Sequence, residues 1–389
     1  MSGESITHRL RAGLATIGAV WVAGITLAVP PGAAGPSPAV DAAVAASRDT
    51  GESRRFAAVE PGVAVMLPRD HGSHPAYRTE WWYVTGWLRT AAGEPLGFQV
   101  TFFRSRPATA AADNPSAFAP HQVIIAHAAI SDAGRGRLWH DQRVARAGFG
   151  LAGAAEQDLR VWLDHWYLER REGRFGTRIE AGDFALDLEF AGTQPPLLQG
   201  EEGFSRKGAA PESASYYYSL PQLHVTGLVR RGTRAERVSG TAWLDHEWSS
   251  EYLEPAASGW DWIGLNLDDG GALMAFRIRD RRQRTLWAGG TLRTADGRRR
   301  VFVPTEVIFE PGRRWRSPRT GVEYPVEWTV RAGDLAIALR PLMDDQESDA
   351  RRSTGALYWE GAVTAERGGR PVGRGYLELT GYGEALRMR

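Results

Sequence analysis

The chain has 389 residues, enough for two domains, and its 43% hydrophobic and 24% charged residues are typical of a globular protein. A formal net charge of +1 gives no electrostatic reason to expect nucleic acid or an anionic membrane surface as a partner. Because the chain has no cysteine, disulfides, thiolate metal sites, cysteine nucleophiles and a lipoprotein anchor are excluded.

Residues 1–46 have the pattern of an export signal followed by a disordered lead-in. Arg9 and Arg11 precede an uncharged run at 12–29, and two prolines and small-residue cleavage sites follow it. We therefore expect an exported protein, in the periplasm or outside the cell. An uncleaved membrane anchor is the alternative, because a run of 18 residues is at the lower limit for a membrane span.

From residue 60 onward the chain consists of short segments that alternate in polarity or are apolar, such as "EWWYVTGWLRT", "LGFQVTFFRS" and "RGYLELTGY". "DDGG" at 268–271 and "ADGR" at 295–298 are hairpin signals, because Asp and Gly tolerate positive φ. No segment beyond the signal has a long helical period. The pattern predicts an all-β protein of antiparallel sandwich or barrel domains.

An internal repeat indicates two consecutive domains. "VSGTAWLDHEW" (238–248) and "PVGRGYLELTG" (371–381) match at positions 133 residues apart. The matched positions are Gly240 with Gly373, Leu244 with Leu377, and Asp245 with Glu378. We place the domains at 60–240 and 241–389, with a junction between about 235 and 258. Pockets favour such interfaces and barrel mouths.

The strongest catalytic candidates are Asp245, His246 and Glu247 in "LDHEW", which combine carboxylates with an imidazole. Neighbours on a strand point to opposite faces, so Asp245 and Glu247 share one face, and His246 and Trp248 share the other. The alternative is a strand end whose polar groups bond to a neighbouring turn.

Aromatic clusters predict the lining of a pocket. In "TEWWYV", Trp81 and Tyr83 share one face, while Glu80 and Trp82 share the other. A buried Glu80 needs a partner, and Arg104 and Arg106 are the candidates. The equally open alternative is an aromatic core with a surface acid.

A second aromatic cluster repeats this arrangement. Asp261 lies between Trp260 and Trp262 and points away from both indoles, and Tyr217 lies in the tyrosine run "SYYYSLP". These candidates fit a pocket mouth or a core. "DHGSH" at 70–74 lacks an established metal-ligand spacing, so we predict no metal site. No serine-hydrolase elbow, phosphate-binding loop or dinucleotide fingerprint is present.

Long ordered motifs resemble the lipocalin-like AttH family, which is related to the carotenoid 1,2-hydratases (hydroxyneurosporene synthases, CrtC-type). The resemblance covers about residues 65–383 and rests on "DHGSHPAYRTEWWYVTGWL", "GFQVTFFR", "SGTAWLDHEWSS", "GWDWIGLNLDDG" and "GYLELTGY". It implies two consecutive lipocalin-like β-barrels. Many members are labelled "predicted secreted hydrolase", and some are encoded beside ABC-transporter permeases.

The resemblance also implies chemistry. The hydratases add water to a terminal alkene of an acyclic carotenoid without a cofactor, and His246 and Trp248 fall on their His-x-Trp pattern. The chain departs from that family where the hydratases carry Tyr-x-Asp, since Phe276 and Ile278 stand there. We expect a cofactor-free hydratase- or hydrolase-like enzyme acting on an apolar isoprenoid or lipid-like molecule. The alternatives are a non-catalytic carrier working with an ABC transporter, and a structural envelope protein.

Overall fold

The computed structural model describes residues 56–107, 116 and 121–386, and strands dominate it. Within that part, the helical segments are two short 3-10 turns, Arg69–His71 and Pro304–Glu306. The prediction of an all-β fold is confirmed. The predicted export signal at 1–46 lies outside the described residues, and none of the described helices has the length and apolar character to cross a membrane.

The first sheet is entirely antiparallel and curls into a nearly closed barrel. Its strands are β1 (Thr79–Thr90), β2 (Pro95–Ser105), β3 (Val123–Asp132), β4 (Trp139–Arg146), β5 (Ala152–Ala154), β6 (Arg160–Leu163), β7 (Trp166–Arg171), β8 (Arg174–Glu180), β9 (Phe184–Ala191), β10 (Leu197–Leu198), β11 (Phe204–Arg206), β12 (Ala214–Arg231) and β13 (Arg234–Ser249). The hydrogen-bonded order is β4-β3-β2-β1-β13-β12-β9-β8-β7-β6-β5, and β10 and β11 pair with β12.

The second sheet follows the same path. Its strands, with a separate β19–β20 ladder, are β14 (Gly259–Leu267), β15 (Ala272–Arg279), β16 (Thr285–Arg293), β17 (Arg299–Phe302), β18 (Val307–Pro311), β19 (Arg314–Arg316), β20 (Glu323–Pro325), β21 (Trp328–Ala332), β22 (Leu335–Pro341), β23 (Glu347–Ala350), β24 (Ala356–Arg367) and β25 (Arg370–Thr380). The order β17-β16-β15-β14-β25-β24-β22-β21 matches the run from β4 to β8 in the first sheet.

This correspondence places β13 and β25, the two strands of the internal repeat, at equivalent positions in their sheets. The junction, however, lies later than the boundary drawn between residues 240 and 241. Strand β13 pairs with β1 as far as Ser249 and with β12 as far as Trp248, so it belongs wholly to the first sheet. The connection between the two sheets is therefore residues 250–258, within the predicted junction range.

Each sheet encloses its own apolar core, and a third cluster joins the outer faces of the two sheets. Tyr83, Trp87 and Trp243 of the first sheet pack there against Trp262 and Phe276 of the second. Strand β1 is consequently buried on both faces from Trp82 to Leu88, which explains why this stretch is almost entirely apolar. Asp245 and Glu378 both lie on faces that meet in this interface.

Candidate active site between the two barrels

A cavity of about 340 Å³ lies between the outer faces of the two sheets and is lined mostly by aromatic and apolar side chains. Its volume is that of a small-molecule site. The principal apolar walls are Trp81, Phe103, Trp260, Trp262, Phe276 and Ile278. Trp81 and Trp260, which occupy equivalent strands, stack with ring centroids 6.5 Å apart. The cavity therefore belongs to neither barrel interior.

Asp245 is a buried carboxyl on the wall that the first sheet provides. It accepts hydrogen bonds from the Ser219 hydroxyl (2.5 Å), the Tyr217 hydroxyl (2.7 Å) and the Trp243 indole (2.7 Å). Burial raises the pKa of Asp245 to about 7; these three bonds oppose the rise, and the charge of Glu247 adds to it. Near neutral pH this carboxyl can both hold and accept a proton.

Glu247 lies two residues along the same strand face and forms a buried ion pair. Its Oε1 lies 2.8 Å from Lys207 Nζ and accepts from the Ser215 hydroxyl at 2.5 Å. The ammonium of Lys207 also lies over the rings of Tyr217 (4.8 Å) and Phe276 (4.4 Å). Lys207 thus brings a positive charge to the cavity wall.

The second sheet contributes two further buried carboxyls, Glu360 on β24 and Glu378 on β25, which lie directly opposite each other. Burial raises the pKa of Glu378 to about 7 and holds that of Glu360 well above its ordinary value, and their mutual repulsion increases the rise for Glu360. Oε1 of Glu360 forms no hydrogen bond of ordinary geometry with the described residues. Both effects favour the protonated form of Glu360.

A histidine completes the polar lining. His127 lies 2.6 Å (Nδ1) from the Tyr358 hydroxyl and 2.8 Å (Nε2) from the Ser353 hydroxyl. Burial lowers the pKa of His127 to about 3, and the charge of His140 adds to the effect. The imidazole is consequently neutral, and it lines the cavity as a hydrogen-bonding group.

The opposite faces of β1 and β13 carry a different polar cluster, inside the first barrel. Glu80 Oε1 accepts from His246 Nε2 (2.9 Å) and His74 Nδ1 (2.6 Å), and Oε2 accepts from Arg104 Nε (2.8 Å). Burial alone would raise the pKa of Glu80, but these bonds and the charge of Arg104 hold it below its ordinary range. Of the two candidate partners for a buried Glu80, Arg104 and Arg106, the structure pairs it with Arg104.

The imidazoles of this cluster are packed between indoles. His246 stacks on Trp82 (centroids 4.8 Å apart), and His74 stacks on Trp248 (3.8 Å). Burial lowers the pKa of His246. Ligand atoms of His74, Glu80 and His246 lie within 4.8 Å of one another, which is close enough for a metal ion. Arg104, however, already supplies the positive charge that this carboxylate needs.

Asp261 occupies the corresponding interior of the second barrel. It accepts from Arg277 Nε (2.6 Å), Arg279 Nε (3.2 Å) and the Tyr382 hydroxyl (2.9 Å). Its position away from Trp260 and Trp262 is the one that strand alternation predicts. Asp261 therefore makes no contribution to the cavity.

The structure thus divides the predicted site residues by strand face. It brings seven of them together at the cavity: Trp81, Tyr83, Tyr217, Asp245, Glu247, Trp260 and Trp262. The other five, Glu80, Trp82, His246, Trp248 and Asp261, point into barrel interiors. His246 therefore does not lie with Asp245 and Glu247 in one site, because consecutive residues of a strand face opposite sides of the sheet.

Sequence reasoning did not select Lys207, His127, Tyr252, Glu360 or Glu378 as site residues, yet all line the cavity. Features of the sequence could have pointed to two of these residues, Glu378 and Lys207. The internal repeat matches Glu378 with Asp245, and Lys207 is the only lysine of the chain. The remaining three carry no local pattern that distinguishes them.

A family model described as AttH-like matches residues 58–382. An AttH protein from Nitrosomonas europaea, known as a crystal structure, is 54% identical to this chain; the match covers 84% of this chain and 100% of that one, with a TM-score of 0.80. Kievitone hydratase from Nectria haematococca is 16% identical over 85% of this chain and 96% of its own, with a TM-score of 0.63, which shows a shared fold. No curated protein matches this chain.

Proposed function

This chain belongs to the AttH-like family, and we propose that it is a cofactor-free acid–base enzyme of the hydratase type whose active site is the cavity between its barrels. The family membership inferred from the motifs is confirmed. The observation that carries the function is the set of buried carboxyls with raised pKa values, Asp245, Glu360 and Glu378, facing an aromatic cavity. Perturbed carboxyls in such a pocket are typical of acid–base catalysis.

Hydration of an alkene requires an acid and a base in separate places. Glu360, whose raised pKa favours its protonated form, donates its proton to one alkene carbon and leaves a cation on the other. Water adds to that cation, and Asp245 on the opposite wall takes the proton that the water releases. Alkene and water give one alcohol, and solvent returns the two carboxyls to their starting states.

The aromatic walls of the cavity are suited to the hydration of an alkene. The ring faces of Trp81, Trp260 and Trp262 can stabilise a developing carbocation, because an aromatic face is electron-rich. A pair of titratable groups whose surroundings set different pKa values supplies the acid and the base. The neighbouring fold of kievitone hydratase, by its name a hydratase, supports the same reaction class.

An exported carrier is the second candidate, favoured by the mostly apolar lining of the cavity. In that case an isoprenoid or lipid-like molecule is cargo, and an ABC-transporter permease is a proposed partner. A carrier has no need for several carboxyls in its pocket, and burying them is costly. The raised pKa values therefore favour the enzyme.

Oxygen-labelled water separates the two functions. The purified protein is incubated with an organic extract of its native host in water labelled with oxygen-18, and the extract is analysed by mass spectrometry. An enzyme produces molecules that have gained one labelled water, and Asp245→Asn and Glu360→Gln each abolish that gain. Recovery of unchanged, bound molecules from all three proteins would instead identify a carrier.

A further inference from the structure

The cavity wall contains two buried hydroxyls that the protein does not pair with ordinary hydrogen bonds. The Tyr252 hydroxyl is fully buried and has no hydrogen-bond partner among the described residues, and the buried hydroxyl of Tyr83 has the Glu360 carboxyl beside it. All three residues line the cavity. Buried polar groups in folded proteins are nearly always paired, so two such hydroxyls at one cavity require an explanation. A bound ligand that supplies the missing partners is the simplest one.

Tyr252 is the clearest case. It lies on the connection between β13 and β14, and its ring stacks on Trp81 with centroids 4.5 Å apart and planes 25° apart. This stacking fixes the ring and keeps the hydroxyl at the cavity. Burial raises the pKa of Tyr252 well above its ordinary value, and the charge of Glu247 adds to the rise. The phenol therefore stays neutral and offers an O–H donor.

Tyr83, two residues from Trp81 on β1, offers a second donor. Its ring packs edge-on against Trp262, with centroids 5.4 Å apart and an interplanar angle of 85°. Burial raises the pKa of Tyr83 well above its ordinary value, and the charge of Glu360 adds to it. Tyr83 and Glu360 are thus close neighbours, and the Glu360 carboxyl lies within hydrogen-bonding reach of the Tyr83 hydroxyl, although the bond is not of ordinary geometry.

Lys207 adds a further hydrogen-bond donor to the cavity wall. Two of its three N–H groups are directed to Ser205 Oγ (2.9 Å) and Glu247 Oε1 (2.8 Å), and the ammonium also lies over two aromatic rings. Every other basic residue except histidine is arginine, so a lysine here departs from the composition of the whole chain. A compact ammonium fits between the rings of Tyr217 and Phe276, whereas a guanidinium is larger and planar.

We infer that the substrate is an unsaturated apolar molecule that also carries carbonyl-type oxygen acceptors, which the hydroxyls of Tyr83 and Tyr252 bind. This inference rests on the proposed function and narrows its substrate class. A pure hydrocarbon, such as an acyclic carotene, would leave the Tyr252 hydroxyl buried without a partner and the Tyr83 hydroxyl with only Glu360 beside it. A carbonyl oxygen accepts two hydrogen bonds and requires no added charge.

Binding measurements test this inference without any need for turnover. The native full chain is titrated with geranylacetone, an unsaturated ketone, and with the hydrocarbon in which a methylene group replaces the ketone oxygen. Quenching of tryptophan fluorescence reports occupancy, because indoles line the cavity. We expect the ketone to bind about tenfold more tightly. Tyr83→Phe and Tyr252→Phe should each weaken ketone binding about fivefold and leave hydrocarbon binding unchanged.

Tyr324→Phe is the matched control, since Tyr324 has a similarly buried hydroxyl in the second barrel, beside Glu347 and away from the cavity. It should leave the preference for the ketone intact. Equal affinities of the two probes for the native chain, including no binding of either, would overturn the inference. So would a tyrosine variant that weakens both probes equally. In either case the labelled-water experiment still decides the proposed function, because it depends on Asp245 and Glu360.

Discussion

The two faces of strand β13 carry buried carboxyl clusters with opposite electrostatic character. Toward the first barrel's interior, His246 contacts Glu80, whose pKa lies below its ordinary range. Toward the cavity, Asp245 has a pKa raised to about 7. Both carboxyls are almost completely buried, at 0% and 2% exposure. Burial alone therefore does not decide whether a carboxyl in this protein is ionised.

The hydrogen-bonding and ion-pair partners decide whether each carboxyl is ionised. Glu80 faces Arg104 and also His74, whose pKa is raised by its bonds to Asp70 and Glu80 against the opposing effect of burial. Asp245 faces two hydroxyls and an indole, which stabilise the anion less than a cation does. The cluster around Glu80 is therefore held together by ion pairs. The cluster around Asp245 contains a carboxyl that can gain or lose a proton at the cavity.

The largest expected effect comes from breaking the ion-paired cluster. Glu80→Gln leaves Arg104 buried without its counter-charge and removes one of the two carboxylates beside His74, so we expect the free energy of unfolding to fall by about 3–5 kcal/mol. Urea unfolding at neutral pH measures it. Asp245→Asn is the control and should cost less, about 1–2 kcal/mol, because the Asn oxygen can still accept from Ser219 and Trp243 and only the bond from Tyr217 is lost. Equal losses in both variants would contradict the comparison.

The pH dependence of stability should have opposite signs on the two faces. Between about pH 4 and 7 unfolded Asp245 has lost its proton while folded Asp245 keeps it, so rising pH favours unfolding. The stability of the native chain relative to Asp245→Asn should fall over this range by at most about 1.4 kcal/mol per pH unit. Relative to Glu80→Gln, native stability should instead fall as the pH drops below about 4.5. Urea unfolding across pH tests both, and a constant difference for Asp245→Asn would refute its raised pKa.

A substitution of His246 distinguishes a structural role of this residue from a catalytic one. His246→Asn removes the stacking on Trp82 and the bond to Glu80, so we expect a loss of about 1–3 kcal/mol in the free energy of unfolding. Incorporation of labelled water per folded molecule should remain close to native, whereas Asp245→Asn should lose it by about 10²–10⁴-fold. A folded His246→Asn protein that lacks turnover would restore the imidazole to the mechanism.

The smallest effect concerns the carboxyl pair of the second sheet. Glu378→Gln removes the negative charge opposite Glu360, so the pKa of Glu360 should fall by roughly one unit. Carbon-13 NMR of labelled glutamate across a pH titration measures this change. Glu366→Gln, on the same strand β24 but outside the cavity, should leave the titration unchanged. An unaltered pKa in Glu378→Gln would show that the two carboxyls do not interact.

The sequence by itself determined the all-β fold, the repeat and the division of residues between strand faces. Alternation placed Asp245 and Glu247 on one face, with His246 and Trp248 on the other, because covalent geometry reverses the side-chain direction at each strand residue. It also indicated that a buried Glu80 needs an arginine. These features depend on local geometry and on the cost of burying charge.

Only the tertiary structure decided which face of β13 meets a cavity. The second sheet packs against the outer face of the first, and that contact joins Asp245 with Glu360 and Lys207, which are distant in sequence. The motif-based grouping favoured His246, yet the imidazole faces a packed barrel interior. Sheet-to-sheet packing depends on the summed shape of many distant side chains, which no short segment encodes.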